Sequence, residues 1–325
     1  MLRGFCLVLT IVNESASGQD DAPKLIRLRY CLGDWCILRL SFAAICQSAP
    51  FDPTAPEQPI SNPLSVHPDS VCTIFNHKTT GPLPRLSRVV GGFRYVRNQT
   101  ECHYVPITGT FDQYLAGFSA KGRSTLKRKV RKLDEMAAGG LEFRVYSKSS
   151  EVAEYLRLAR QVAVKTYQEK LFGGAIPDTE EFRARVLDLA CGDRVRGYIL
   201  FVNGRPISYL YLPITNRVVD YGYLGYDPAF TGWSPGTVLL YFAIRQLFEE
   251  ESFQYLSFGY GKNQAKETFG RASFLRADLY FFPLRPQYLL AVWAHAGLDS
   301  FSSVLGRALE FLGIRRAIRR ILRSI

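Results

Sequence analysis

The chain has 325 residues, 47% of them hydrophobic and 22% charged, which is enough to bury one large core or two modest ones and excludes a disordered polypeptide. Its 41 Lys and Arg outnumber 29 Asp and Glu, for a net charge of +12; this favours anionic partners such as nucleotide phosphates, nucleic acid or an acidic membrane surface, without choosing among them. Seven cysteines without a C-x-x-C pair and four scattered histidines without His-x-x-x-His spacing argue against zinc or a disulfide framework, so no metal is expected and a reducing compartment is.

The first residues, MLRGFCLVLTIVNE, carry a greasy stretch from Phe5 to Val12 that is short for a signal peptide and lacks a clear small-x-small cleavage site. No apolar run is long enough to span a bilayer. The expectation is a cytoplasmic protein, in which the sequons at Asn13 and Asn98 have no role. Up to residue 100 the pattern is faint. Asp34–Phe42 and Val71–Phe75 read as strands on either side of a proline-rich loop, and Gly91–Ile107 reads as a strand pair.

Beyond residue 110 the signals sharpen. Asp112 is placed to cap a helix whose first apolar turn is Leu115 and Phe118. Leu126, Val130 and Leu133 then form one stripe, with Lys127, Arg128, Lys129, Arg131 and Lys132 opposite, and Gly139-Gly140 stops the helix. A strand follows at Leu141–Tyr146, then a helix from about Ser150 to Lys170 capped by Ser149 or Ser150. Asn203-Gly204 joins Tyr198–Val202 to Arg205–Leu212 as a hairpin, and a turn at Pro213–Asn216 leads to Val218–Leu224. These three strands read as an antiparallel meander. After a loop with Asp227 and Pro228, a helix opens at Ser234, Pro235, Gly236 and Thr237; Tyr255–Phe258 and FLRADLYFFPL then read as strands. The first turn of a helix presents unpaired N–H groups and the positive end of its dipole, so this start is a candidate anion site; the plainer role of Ser234 is a helix cap.

Three stretches, FDQYLAGFSAKGRSTLKRKVRKL, GYDPAFTGWSPGTVLL and FGYGKNQAKETFG, together resemble the GNAT acyltransferases. The branch they resemble has CelD-like and BioF-like acetyltransferase domains and is distantly similar to the FemAB aminoacyl transferases. The resemblance covers about Phe111 to Leu284. It implies an α/β (α+β) fold with a mixed, largely antiparallel sheet flanked by helices, and a splayed strand pair that admits acyl-CoA. The expected division is a divergent portion 1–110, readable as a degraded second GNAT-like half, an acyltransferase domain 111–284 and a basic amphipathic helical tail 285–325.

By the same resemblance the acyl-donor pyrophosphate lies at Ser234, Pro235, Gly236 and Thr237. Proline suits a first helical position, glycine lets backbone approach phosphate oxygens, and the two hydroxyls add donors. Lys266 and Phe269 match a Lys-x-x-Phe of related proteins, while Ser257 stands where an aspartate is common; Lys266 pairs with a donor phosphate or a substrate carboxylate, or is a solvated surface lysine. No G-x-x-x-x-G-K-[ST] is present, which excludes an ATP phosphate loop. Acyl transfer to an amine needs a base, a stabilised oxyanion and a reprotonated thiolate. The candidates are Asp227, Glu267 and Tyr260, with Tyr223 and Tyr226 beside them; Asp227 before Pro228 can equally be only a turn former.

The basic helix 121–132 lacks interleaved aromatics and reads as a solvated face, so no specific nucleic acid is expected. The arginines of the tail face an apolar stripe, which either packs back on the protein or lies on an anionic membrane surface at the inner face. The expected activity is transfer of an acyl group, most simply acetyl from acetyl-CoA, to a small-molecule or lipid-linked amine. In the resembled branch an amino sugar or a polysaccharide precursor of the envelope is a reasonable acceptor. Two readings stay beside it: FemAB-like transfer from aminoacyl-tRNA, and a GNAT-fold binding protein without catalysis.

Overall fold

The computed structural model describes residues 23–32, 35–166, 175–259 and 264–311. The N-terminal greasy stretch, Tyr260 and the arginine-rich end lie outside the described residues. In chain order the elements are β1 (Lys24–Leu32), β2 (Trp35–Ser48), β3 (Val71–Thr79), β4 (Leu86–Val89), β5 (Gly92–Pro106), α1 (Phe111–Ala116), α2 (Ala120–Ala137), β6 (Leu141–Tyr146) and α3 (Val152–Ala163). They continue with α4 (Glu180–Cys191), β7 (Val195–Val202), β8 (Arg205–Thr215), β9 (Val218–Asp220), β10 (Tyr223–Tyr226), α5 (Pro235–Glu249), β11 (Tyr255–Ser257), α6 (Gln264–Phe269), β12 (Ala272–Pro283) and α7 (Pro286–Phe311). The chain is thus mixed α/β with a large, mostly antiparallel sheet flanked by helices. No helix among the described residues is long and apolar enough to cross a membrane.

Two compact units are present, Met1–Glu101 with Phe274–Ile325, and Cys102–Ser273. These bounds differ from the 110 and 284 expected from motif content, since β12 from Phe274 onward pairs with β3 of the first unit.

In the first unit the strand order is β1-β2-β3-β12-β5. One face buries Leu28, Phe93, Tyr95, Tyr280 and Phe282 with Val292 of α7; the other buries Ile74, Val96, Leu279 and Phe281. Gly91–Ile107, expected as a strand pair, is the single strand β5. Its hairpin partner is β4, and the chain turns at Gly91, whose φ of 80° suits a residue without Cβ.

In the second unit β11, β9, β8, β7 and β6 follow the end of β5 in that order, and β10 also pairs with β8. From Tyr198 to Val202 the β7 stretch is apolar because both faces are covered. Tyr198, Leu200 and Val202 share a core with residues of α2 and α5, whereas Ile199 and Phe201 share one with α3 and α4. A strand buried on both sides needs no polar alternation. Asn203 and Gly204 both take positive φ, 49° and 75°, as the hairpin turn requires.

Several local readings need correction. The segment from Asp112 to Gly140, read as one helix, is two, α1 and α2, with the basic stretch inside α2. Thr110, not Asp112, caps α1 through a capping box with Gln113, and Ser119 caps α2 by accepting the Gly122 N–H at 3.1 Å. At the start of α3 the Glu151 carboxylate, rather than Ser149 or Ser150, takes the Ser147 and Lys148 N–H groups, each at 3.0 Å. Helix α4 was not expected; Thr179 followed by two acids is the cap signal that marks it. Val218–Leu224 is two strands rather than one, which matters for the site.

Gly225 of β10 tests this packing. A Cβ there would run into the Tyr209 ring, whose hydroxyl accepts the Ile176 N–H at 3.3 Å. Gly225→Val should lower the urea midpoint by about 1–3 kcal/mol of stability at unchanged m; an unchanged midpoint would mean that β10 does not lie on Tyr209.

Candidate functional site

The second unit contains one parallel pair among its described strands, β9 with β11, with Val218, Val219 and Asp220 opposite Tyr255, Leu256 and Ser257. The pair then ends. The last bond is Tyr221 N–H to the Ser257 carbonyl at 2.8 Å. Past it, Gly222 N–H turns to the Tyr211 carbonyl and β10 stays on β8, Tyr223 opposite Tyr211. On the other side Phe258 N–H goes to the His103 carbonyl of β5. Each strand keeps a different neighbour, so the two part and leave an opening whose edges carry backbone donors and acceptors.

Downstream of β10, a turn of 3₁₀ helix (Pro228–Trp233) delivers the chain to α5. Ser234 sits in the left-handed region (φ 54°, ψ 49°), and its side chain makes no capping bond. It holds the N-cap position considered for it, but its hydroxyl caps nothing. Pro235 has no N–H, and the N–H groups of Ser234, Thr237 and Val238 are bonded to the carbonyls of Thr231 and Ser234. Among the described residues this helix start offers an anion little beyond the Gly236 amide. A Cβ on Gly236 would stand 2.9 Å from Leu224 Cδ2 and 3.4 Å from Tyr226 Cδ1. The glycine thus serves close helix–strand packing, and its expected role of letting backbone approach a phosphate is not what this geometry requires.

Positive charge reaches the spot from elsewhere. Lys129 Nζ of α2 donates to Thr237 Oγ1 at 3.4 Å, and Lys132 Nζ donates to the Gly232 carbonyl at 3.2 Å. Burial and the neighbouring Arg128 push the Lys129 ammonium below its ordinary value. The face read from sequence as merely solvated thus brings two lysines to the start of α5. Their i, i+3 spacing is the only signal the sequence holds, and it does not name their target.

Asp227 is buried at 3% exposure. Its Oδ1 accepts the Ala229 N–H at 3.1 Å, and its Oδ2 accepts from Arg205 at 2.6 Å and Lys165 at 3.3 Å. Burial alone would raise its pKa, but the Ala229 amide, Arg205 and Lys165 outweigh that and hold it below the ordinary carboxylate value. A carboxylate so engaged is a poor proton acceptor, and the geometry gives Asp227 the turn-forming role.

Lys266 is not a solvated surface lysine. It is 6% exposed, on α6, and burial brings its ammonium down to about 8 against the opposing effect of Cys102. Cys102 and Tyr104 lie two apart on β5 and share a face with Ser257, the direct partner of Tyr104. Lys266 is thereby associated with the side of the sheet where β11 ends. Glu267, next to it, is exposed, and Tyr260 lies outside the described residues. Tyr223 is half-buried with its hydroxyl pKa raised by burial, and Tyr226 is exposed. Ser257 is buried. No group of three His, Cys, Asp or Glu that could hold a metal occurs among the described residues. A surface recess of about 390 Å³ lies between Ile107, Thr110, Phe248 and Glu251, at the opposite end of α5 from these groups.

Asp227→Asn separates the two roles. A carboxyl whose folded pKa is depressed contributes stability that is present above the unfolded value, about 3.9, and is lost as pH falls through the folded value. Both cations are about half exposed, which screens the pairs. The variant should lose about 1–2 kcal/mol at pH 7, with the gap closing below about pH 4. A pH-independent gap would remove the ion pairs from the account.

Residues 120–267 match the family model described as an acetyltransferase (GNAT) domain. No curated protein matches the chain. Among solved structures it is similar to FemX at 10% identity, covering 83% of this chain and 91% of that one with a TM-score of 0.49. It is similar to the C-terminal domain of a putative lysylphosphatidylglycerol synthetase from Agrobacterium fabrum at 13% identity, covering 70% and 73% with a TM-score of 0.46. A conserved protein of unknown function from Bacteroides thetaiotaomicron aligns at 14% identity, covering 66% and 70% with a TM-score of 0.47. Likeness at these scores fixes no chemistry for this chain. The family match is the firmer finding: over residues 120–267 the chain is similar to a GNAT acetyltransferase domain.

Proposed function

We propose that the GNAT domain transfers an acyl group, most simply acetyl, from acyl-CoA to an amine acceptor in the cytoplasm. The parting of β9 and β11 beside a lysine-flanked helix start carries this reading. An opening between two strands accepts an extended amide-bearing arm as a further strand would, which is what the pantetheine of acyl-CoA provides. Lys129 and Lys132 supply charge for the pyrophosphate, with the Gly236 amide, in place of the ring of free amides expected at the helix start.

In the reaction the amine nitrogen bonds to the acyl carbon, the carbon–sulfur bond breaks, one amine proton is lost and the thiolate gains one. Lys266, protonated below about pH 8, is suited to stabilise the oxyanion or the leaving thiolate, because a cation held away from water acts strongly on developing negative charge. The bonds that Asp227 holds favour a turn-forming role over that of a base, and on this reading the amine is deprotonated by water or before it binds. The acceptor class, an amino sugar or lipid-linked envelope precursor, rests on the resemblance of the sequence alone.

Two outcomes test this. Acetyl-CoA at a hundredfold excess over Kd should stabilise the chain by about 2.7 kcal/mol through linkage, and Lys129→Ala with Lys132→Ala should weaken its binding about tenfold. A melting shift with aminoacyl-tRNA and none with acetyl-CoA would transfer the reading to aminoacyl transfer. Lys266→Met should abolish free-thiol release from acetyl-CoA with an amine panel while acetyl-CoA still binds, and Lys266→Arg should retain part of the rate. Because the charged form is the active one, the parent rate should fall as pH rises through about 8; a rate that rises there would make Lys266 a base instead. Binding without turnover by the parent across the panel would favour a non-catalytic role.

A further inference from the structure

Helix α7 buries one side and leaves another apolar side bare. Ala291, Val292 and His295 are buried, Tyr30 donates to the Ala291 carbonyl at 2.9 Å, and His295 bonds Tyr95 at 2.8 Å. Leu290, Trp293, Phe301 and Val304, by contrast, are 75%, 66%, 59% and 56% exposed. At about 100° per residue these four, with exposed Ala294 and Gly297 among them, fall within about a quarter of the helix circumference. None of the six is charged. Single exposed apolar side chains are ordinary, but a stripe that includes Trp and Phe marks a contact surface.

The sequence beyond this helix says what the surface meets. Residues 312–325 contain Arg315, Arg316, Arg319, Arg320 and Arg323 and no acidic residue. A second copy of the chain carries the same net charge of +12, which repels rather than complements the first. Tryptophan, phenylalanine and leucine on one face, with arginine following, are the composition of helices that lie in a bilayer interface.

We propose that this face of α7 docks on an anionic phospholipid surface, with Leu290, Trp293, Phe301 and Val304 entering at headgroup depth; the net positive charge of the sequence that follows selects an anionic surface over a neutral one. The inference is independent of the acyl-transfer reading, since no residue of the second unit enters it.

The full chain should co-sediment with vesicles containing phosphatidylglycerol, dissociate in high salt, and leave pure phosphatidylcholine vesicles largely unbound. Trp293→Ser with Phe301→Ser should reduce partition on the order of tenfold or more with unchanged circular dichroism, as both side chains are exposed. The tryptophan emission of the parent should shift to the blue on anionic vesicles, and this shift should be lost in Trp293→Phe. Failure of the parent to bind, equal binding to neutral vesicles, or full binding by the double variant overturns the proposal. So does a dimer in sedimentation equilibrium that the double variant dissolves, which would make a second copy the occupant.

Discussion

The opening in the second unit follows from a competition for backbone hydrogen bonds. Strand β8 is long enough to hold both β9 and β10 along its edge, Thr215 opposite Val218 and Ser208 opposite Tyr226. Strand β11 has a different neighbour in β5, which claims Phe258 after Ser257. Buried amides must be bonded somewhere, and these two sets of bonds draw the parallel pair apart after Tyr221. The opening therefore needs no strained residue or loop insertion; it results from where each strand finds its partners.

Electrostatics around this opening divides into charges that are consumed and charges that remain available. Arg205 and Lys165 are tied to Asp227, which in turn takes the Ala229 amide, so this trio fixes the path from β10 towards α5. Lys129 and Lys132 hold only neutral oxygens, a hydroxyl and a carbonyl. An anionic ligand can exchange those contacts for charged ones, which are stronger. The charged residues near the start of α5 thus differ in kind: one set builds the turn, and the other is able to bind.

Much of the fold was legible because its signals are local. The Asn203-Gly204 turn, the β6 strand and the apolar run of α5 each follow from a few adjacent residues. The branch-like pattern of motifs also found the domain that the family match places at 120–267. What escaped depended on distant partners. A break at Tyr221 cannot be read from Val218–Leu224 by itself, because it arises from Ser257 and Tyr211. Gly236 shows the same limit. A glycine in a helix start has two uses, approach to a ligand and approach to another element, and only Leu224 decides between them. For Lys266 the motif match leaves a site cation and a solvated lysine both open, and only its burial removes the second.

The net charge illustrates how location turns an ambiguous sum into separate functions. A value of +12 fits nucleotides, nucleic acid and membranes alike. Part of it is neutralised internally, as where Arg196 meets Asp193 and Glu250 at 2.7 and 2.9 Å. Another part lies on α2 in the second unit, where it comes up to the first turn of a helix. The densest part follows an uncharged, aromatic helix face in the first unit. A compact pair of lysines beside an opening suits a small polyanion, whereas five arginines in the sequence after a helix with exposed Trp and Phe suit an extended charged surface with an apolar interior. Binding of the two should accordingly differ in what apolar substitution does to it, since only the second couples charge to buried hydrocarbon.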